Sequence, residues 1–148
     1  MSVNNVQFAI ASHILTVLAY CPNGHANSKE LAVSLRAHPT FIRKTISRLG
    51  KAGLLVATRG VTGTCVLARP PEQISLLDIY RASGASPVFS VHAYPIENGC
   101  DVSINIKDRM DDVLKVTQAS FEEKLGTMTL CDLMPSTLQT TLRERANV

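Results

Sequence analysis

Residues 26–69 constrain the fold more than any other part of the chain, because they hold two amphipathic helical patterns, a break between them and a ribbon with glycines in its turn. The first helix can be capped at Asn27 or at Ser28. Pro39 breaks the chain and suits the first turn of the second helix, where its missing N–H group costs no hydrogen bond. We expect the second helix to end near Ala52, which makes this stretch a helix-turn-helix.

The residues after the second helix predict a two-stranded ribbon, or wing. Gly53 ends the helix as a C-terminal cap. Residues 54–58 and 64–68 are mostly apolar, and the turn between them over 59–63 contains two glycines. Because an isolated hairpin is only marginally stable in water, the wing must pack against the helices. We therefore predict a mainly α-helical protein with a small β wing, built on a winged helix-turn-helix.

Further helical patterns lie on both sides of this unit. Residues 3–19 place apolar side chains at helical spacing, and a short helix capped by Ser75 is expected over Leu76–Ala82. Residues 83–99 hold two glycines and two prolines, which is typical of a connector. This connector has room for one short strand, over Val88–Val91.

A long helix is expected to begin at Asp101 and to end at Leu125 or Gly126. Its apolar stripe spans roughly seven turns at 3.6 residues per turn, and we expect it to consist of Val102, Ile106, Met110, Val113, Leu114, Thr117, Phe121 and Leu125. A small winged helix cannot cover a stripe of this length, so a partner chain is the natural cover. The alternative is that the stripe packs only against the helix over residues 3–19 of the same chain.

These patterns divide the chain into three parts. We predict a winged helix-turn-helix domain over residues 1–83, a connector over 84–100, and a dimerisation helix with a C-terminal helical tail over 101–148. In the tail, a terminal helix after Pro135 has Leu138 and Leu142 as its apolar points.

The distribution of charge points to an anionic partner. The chain carries a formal net charge of +3, which permits such a partner without requiring one. Between Lys29 and Arg59, however, there are seven Lys or Arg residues and one acid, Glu30. In a helix-turn-helix, the second helix enters the major groove of duplex DNA and its early residues reach base edges. Double-stranded DNA is therefore the expected partner, although a basic face can also be merely solvated.

The motif assigns a role to each polar residue along this surface. Four residues at the start of the second helix are placed to reach base edges: His38, Thr40, Arg43 and Lys44. Three are better placed for phosphates, which hold the protein in register without reading sequence: Ser28, Arg48 and Lys51. Arg59 at the wing tip could enter a neighbouring minor groove, where the negative potential favours a guanidinium group.

Other classes of function find less support. The sequence has no glycine-rich phosphate loop, no paired metal motif and no convincing Ser–His–Asp arrangement, so we do not expect an enzyme. A winged-helix module that binds protein instead of DNA is the main alternative. No apolar run is long enough to span a membrane, and no signal peptide precedes the first helix. We therefore expect a cytoplasmic protein with reduced thiols.

Three stretches resemble a known family: residues 28–60, SKELAVSLRAHPTFIRKTISRLGKAGLLVATRG; residues 67–82, LARPPEQISLLDIYRA; and residues 129–133, TLCDL. They are similar to the Rrf-type winged-helix repressors of bacteria, which include IscR, NsrR and CymR. The resemblance implies a homodimer whose long helices cross, bound to a palindromic operator, and repression or dual regulation of transcription. By position, Thr40, Arg43 and Lys44 match the base-reading residues of the family, and Arg59 matches its minor-groove arginine.

The same resemblance raises the question of an iron–sulphur cluster. Members that hold a cluster carry three closely spaced cysteines before the long helix, whereas this chain has only Cys100 there. A single thiolate cannot hold a cluster that needs several protein ligands. We therefore expect no cluster, no other metal and no cofactor, and place the chain in the clusterless branch.

Cys100 is nevertheless a candidate sensor. It stands at the expected start of the long helix, where the helix N-terminus stabilises a thiolate. Such a thiolate can be oxidised or can form a disulfide with the other subunit; the alternative is an inert cysteine. For Cys21, Cys65 and Cys131, plain packing is favoured. A small-molecule signal bound between the DNA-binding lobe and the long helix remains an open alternative to an oxidant.

Overall fold

The structure is a computed structural model that describes residues 6–58 and 63–136. Its α-helices are α1 Val6–Tyr20, α2 Ser28–Leu35, α3 Pro39–Lys51, α4 Leu76–Ala82 and α5 Asp101–Gly126. Its strands are β1 His25–Asn27, β2 Leu55–Ala57 and β3 Thr64–Leu67, and 3-10 helices lie at Pro71–Gln73 and Leu130–Leu133. The predicted mainly α-helical fold with a small β wing is confirmed.

Helix α1 forms the centre of the core. Its apolar residues recur at helical spacing, so one broad face is fully buried, and its largest buried side chains are Ile14, Leu15 and Leu18. Helices α2, α3 and α4 all pack against α1. The helix-turn-helix is therefore held by a hydrophobic support on the side away from its charged surface.

Local hydrogen bonds determine where α2 begins and ends. The Asn27 side chain accepts hydrogen bonds from the N–H groups of Lys29 and Glu30, each at 2.9 Å, while the Glu30 carboxylate accepts from the Asn27 N–H. This capping box satisfies N–H groups that have no partner within the helix. At the other end, Arg36 adopts a left-handed conformation with φ of 51° and turns the chain toward α3.

The wing belongs to a three-stranded antiparallel sheet with the strand order β1-β3-β2. Strand β1 was not predicted, because its three residues carry no alternating apolar pattern. It places Asn27 opposite Thr64. The residue that caps α2 is therefore paired with the first residue of the returning wing strand.

Helix α4 joins the winged unit to α5. The ring of Tyr80 makes edge-to-face contacts with Phe8 of α1 and Phe121 of α5, at centroid separations of 5.6 and 5.4 Å. The chain after α5 returns to the same core, where Leu130 and Met134 are buried. Only the C-terminal part of α5 is covered in this way.

The prediction of a short strand over Val88–Val91 is wrong, because this segment has no regular secondary structure. The Val88 N–H group donates to the side-chain oxygen of Gln118 at 3.0 Å and does not join a neighbouring strand. The terminal helix predicted around Leu138 and Leu142 lies outside the described residues. The division of the chain at residues 83 and 100 stays a prediction.

Candidate nucleic-acid interface

The helix α3 separates an apolar face from a polar face, as its sequence pattern predicts. Its buried residues are Ile42, Thr45, Ile46 and Leu49. Arg43, Lys44, Ser47 and Lys51 are exposed on the other side. Since the buried face packs against α1 and α2, the exposed face points away from the core. We call the exposed residues of α3, together with His38 and Thr40, the basic face.

The first turn of α3 brings three of the predicted base-reading residues together. The Nδ1 atom of His38 accepts a hydrogen bond from the N–H group of Thr40 at 3.2 Å, so His38 caps the helix. With Nδ1 acting as acceptor, the neutral ring carries its proton on Nε2, which can donate to a phosphate or a base. The Arg43 guanidinium donates from Nη2 to the Thr40 hydroxyl at 3.4 Å. Thr40 therefore connects the two side chains.

The positive charge of the basic face is not balanced by acids within the described part of the chain. The ion pairs in the described part of the chain join Arg69 to Asp78, Arg81 to Glu122 and Lys115 to Asp111. None of the three pairs involves a residue of α3. The exposed charged groups of Arg43, Lys44 and Lys51 are therefore open to an external anion.

Arg48, predicted to contact a phosphate from its outward position on α3, also makes a contact within the protein, and its phosphate-binding role stays a prediction. Its Nη1 group donates to the backbone carbonyl oxygen of Ser83 at 3.0 Å, and the residue is half-buried. Periodicity places Arg48 on the polar side of the helix, but it cannot show that the C-terminal end of α4 lies within reach. In this structure Arg48 joins α3 to α4.

The beginning of α2 supplies the other flank of the surface. Ser28, a predicted phosphate contact, is the first residue of α2 and is half-buried. The next residue, Lys29, is exposed and was not among the predicted contacts, although its charge could have indicated it. The N–H groups of Lys29 and Glu30 are already used by the Asn27 cap. Any anion at this end would therefore be held mainly by side chains.

The wing is described up to the base of its tip. Thr58 and Thr64 close the hairpin, because the Thr58 N–H donates to the Thr64 carbonyl oxygen at 2.9 Å and the Thr64 N–H donates to the Thr58 hydroxyl at 2.9 Å. Arg59, the predicted minor-groove residue, lies outside the described residues. Its role stays a prediction.

The four cysteines differ in exposure. Cys100 is exposed and caps α5, where its sulfur accepts from the Ser103 N–H at 3.4 Å. Cys65 is buried in β3, and burial raises the pKa of its thiol. Cys21 and Cys131 are half-buried. Among residues 6–58 and 63–136, no three His, Cys, Asp or Glu side chains come together to hold a metal ion.

The helices in the described part of the chain are too short or too polar to cross a lipid bilayer. Even the 26-residue α5 carries charged residues throughout its length.

Comparison with known proteins gives a consistent result. A family model described as "Rrf2: Iron-dependent Transcriptional regulator" matches residues 5–136. YwnA of Bacillus subtilis (strain 168), described as an HTH-type transcriptional regulator, is 33% identical over 131 residues, which cover 88% of this chain and 96% of YwnA. A crystal structure of a protein described as DNA-binding is 29% identical with a TM-score of 0.67, and the match covers 87% of this chain and 99% of that one.

The structure of CymR, the global cysteine regulator of B. subtilis, shares the fold. Its TM-score is 0.59 at 21% identity, and the match covers 90% of this chain and 94% of CymR.

Proposed function

We propose that this chain, which belongs to the Rrf2 family of transcriptional regulators, binds a two-fold symmetric operator as a homodimer and represses transcription there. The family resemblance seen in the sequence is thereby confirmed, and so is the prediction of a DNA-binding transcriptional regulator. The alternative of a winged-helix module that binds only protein is not favoured, because the relatives are DNA-binding regulators. Such a regulator is expected to act in the cytoplasm, where the DNA is.

The observation that carries the proposed mode of binding is the uncompensated basic face of α3. Helix α3 begins at Pro39 and follows the turn of a helix-turn-helix, which is the position of a recognition helix in the major groove. Arg43 and Lys44 can donate to guanine acceptors from its early part. The contact between Arg43 and Thr40 orients the guanidinium toward the N-terminal end of the helix, where base edges are read.

Residues farther from the start of α3 are expected to hold the backbone of the duplex. Lys51 lies in the last turn of α3 and is exposed. Ser28 and Lys29 lie at the start of α2, on the other flank of the basic face. Contacts to phosphates position the protein but do not distinguish sequences. Arg59 would add a contact in the minor groove.

The surface of α5 supports the homodimer. With 26 residues, α5 is about 39 Å long at 1.5 Å per residue. Val102 and Val113 are 68% and 57% exposed, and Ile106 and Met110 are 38% and 39% exposed. Helix α1 therefore does not cover this stripe, which leaves a second copy of α5 as its cover. Two recognition helices in a dimer would match half-sites about 34 Å apart.

Regulation without an iron–sulphur cluster fits the potential metal ligands that are present. The family description names iron, but Cys100 stands alone in the segment before α5 and no set of three potential ligands converges among the described residues. These residues therefore do not fit an iron–sulphur cluster. We propose instead that the signal is an oxidant at Cys100 or a small molecule. If oxidation is the signal, peroxide should weaken operator binding by the wild type but not by Cys100→Ser.

The decisive experiment is selection of DNA by the purified full chain from a random library, followed by sequencing. We expect a palindromic site, and affinity that falls steeply with salt because bound phosphates release counterions. The double variant Arg43→Ala/Lys44→Ala should lose the site while the dimer remains intact.

The matched control is Lys107→Ala/Lys115→Ala, which removes the same charge from α5 and should keep the site. Absence of any enriched sequence in the wild type, or equal loss of binding in both variants, would contradict sequence-specific recognition by α3.

A further inference from the structure

We propose that Arg48 determines which spacing between the two half-sites of an operator this protein accepts. It does so by holding α3 at a fixed orientation relative to α4 and α5, through its hydrogen bond to the Ser83 carbonyl oxygen. Arg48 is thus a positioning residue, whose effect on spacing is separate from any contact that it makes with a phosphate. The inference rests on the proposed homodimer on a two-fold symmetric operator.

Arg48 lies at the edge of the basic face that adjoins α4. At 100° per residue, it falls on the same side of α3 as Lys44 and Lys51. Those two lysines are exposed, whereas Arg48 is half-buried and its guanidinium group lies against Gly84. Arg48 is therefore the basic residue of this side that is held from outside α3.

The acceptor of the Arg48 hydrogen bond is itself fixed in place. Ser83 is fully buried, its hydroxyl donates to the Tyr80 carbonyl oxygen at 2.7 Å, and the same hydroxyl accepts from the Ala85 N–H at 3.2 Å. Ser83 is also the C-cap of α4, where backbone carbonyl groups lack a partner within the helix. Because a buried carbonyl without a hydrogen bond is costly, the donor from Arg48 favours one geometry.

Helix α4 is in turn fixed to α5 by polar contacts. The Tyr80 hydroxyl accepts a hydrogen bond from Nε2 of Gln118 at 2.9 Å. Arg81 forms an ion pair with Glu122, in which the nitrogen and oxygen atoms are 3.1 Å apart. The end of α4 should therefore move together with α5, and Arg48 connects α3 to both.

The other contacts of α3 do not fix its direction in the same way. Its buried face, which includes Ile42, Ile46 and Leu49, packs against α1 and α2. Apolar burial holds these helices together but is not directional, so it tolerates a small rotation of α3. A hydrogen bond weakens steeply when its distance or angle departs from the optimum. Arg48 therefore restricts a rotation that the apolar contacts would allow.

In a dimer joined through α5, this restriction applies twice. The distance and angle between the two recognition helices depend on how each α3 is oriented relative to its own α5. One added base pair moves the half-sites about 3.4 Å farther apart, and it rotates one relative to the other by roughly 35°. A dimer with a fixed α3 cannot follow this change, whereas a dimer in which α3 can rotate follows it in part.

The test compares three duplexes: the selected palindromic operator, and the same operator with one base pair inserted or removed at its centre. The full-length wild type should bind the original spacing about tenfold or more tighter than either altered spacing. Arg48→Met keeps the length of the side chain but removes its donors, and should reduce this preference to about threefold or less. Arg48→Lys keeps one donor and should retain about fivefold or more.

Two further variants separate positioning from loss of charge and from loss of folding. Lys51→Met removes the same charge from the last turn of α3 and should weaken all three duplexes equally, with the spacing preference unchanged. Gly84→Ala leaves the charge of α3 intact but presses on the Arg48 guanidinium, so it should also relax the preference. Sedimentation confirms that each variant is dimeric, and Gly84→Ala decides the question if Arg48→Met does not fold.

The inference is overturned if Arg48→Met weakens all three duplexes equally, or if Arg48→Lys is as permissive as Arg48→Met. It is also overturned if the wild type binds the palindrome but accepts every spacing equally, a result that leaves the proposed function standing. If the wild type selects no palindrome at all, the proposed function fails and this inference fails with it.

Discussion

Arg48 of the recognition helix donates a hydrogen bond from Nη1 to the backbone carbonyl oxygen of Ser83, at 3.0 Å. The contact joins α3, the proposed recognition helix, to the end of α4, from which the connector leads to α5. Gly84 lies directly against the same guanidinium, since a Cβ atom on Gly84 would be 3.0 Å from Nη1. The orientation of α3 therefore depends on a residue that lies outside the helix-turn-helix.

Substitution of Gly84 should disturb this junction. Gly84 has a φ of +73°, a conformation that side chains with a Cβ rarely adopt, and the added methyl group would press on Arg48. We expect Gly84→Ala to lower the free energy of unfolding by about 1–2 kcal/mol in a urea titration. Gly99→Ala is the matched control and should change it by less than about 0.5 kcal/mol, since Gly99 has no positive φ and an open surrounding. When Arg48 is already replaced by alanine, Gly84→Ala should lower the free energy of unfolding by less. If the effects of the two substitutions are strictly additive, the contact between Gly84 and Arg48 is contradicted.

Base reading and phosphate binding should be separable within α3. We expect Arg43→Ala to weaken operator binding more than binding to random duplex, because Arg43 is placed to contact a base. Lys51→Ala should weaken both equally and reduce the salt slope by about 1. Titrations of both duplexes at several salt concentrations measure these effects. Equal behaviour of the two variants would contradict the division of roles.

A carboxylate in the exposed stripe of α5 should break the dimer. Val113 is 57% exposed in the single chain, so the fold should tolerate Val113→Glu, but the dimer would have to bury an unpaired charge. We expect the dimer dissociation constant to rise by about tenfold or more in sedimentation experiments. Val33→Glu places the same change at a 78% exposed site on α2 and should leave the dimer intact. A stable Val113→Glu dimer would show that another surface joins the subunits.

The cysteines should react with thiol reagents in the order of their exposure. Cys100 is exposed, whereas Cys65 is buried and burial raises the pKa of its thiol, so that it stays protonated at neutral pH. We expect iodoacetamide to modify Cys100 first and Cys65 only after unfolding, as peptide mass spectrometry can show. In Cys100→Ser the fastest phase of modification by iodoacetamide should disappear. Early modification of Cys65 would mean that the sheet opens in the native protein.

Glu122 should make a small contribution to acid sensitivity. Hydrogen bonds from Gln118 and then from Arg81 hold the pKa of its carboxyl below the ordinary value of 4.5. Because the folded-state pKa is lowered, the stabilisation is complete above the unfolded-state value and is lost as the pH falls through the folded-state value. The wild type should therefore exceed Glu122→Gln in melting temperature near neutral pH, and the difference should vanish in acid. A difference that persists at the lowest pH would contradict this origin.

Features that depend on neighbours in the chain could be predicted from the sequence. The bounds of α4 were predicted as Leu76–Ala82 and observed unchanged, because Ser75 caps the helix through a hydrogen bond with Asp78 only three residues away. The helix-turn-helix, the two wing strands and the extent of α5 follow from the same local rules of periodicity and capping. The charge of the basic face also follows directly, since it depends on which residues α3 contains.

Features that depend on distant residues could not be predicted in this way. Arg48 and Ser83 are 35 positions apart, and Gln118 and Tyr80 are 38 apart, so no pattern within a helix reveals that they meet. Strand β1 pairs only with β3, which is distant in the sequence. The expected strand over Val88–Val91 is absent, and the Val88 N–H group donates instead to the side chain of Gln118 on α5. Local sequence therefore specified the helices and their surface charge. Packing decided which basic residue supports the fold and which stripe stays uncovered, because these depend on how separate helices come together.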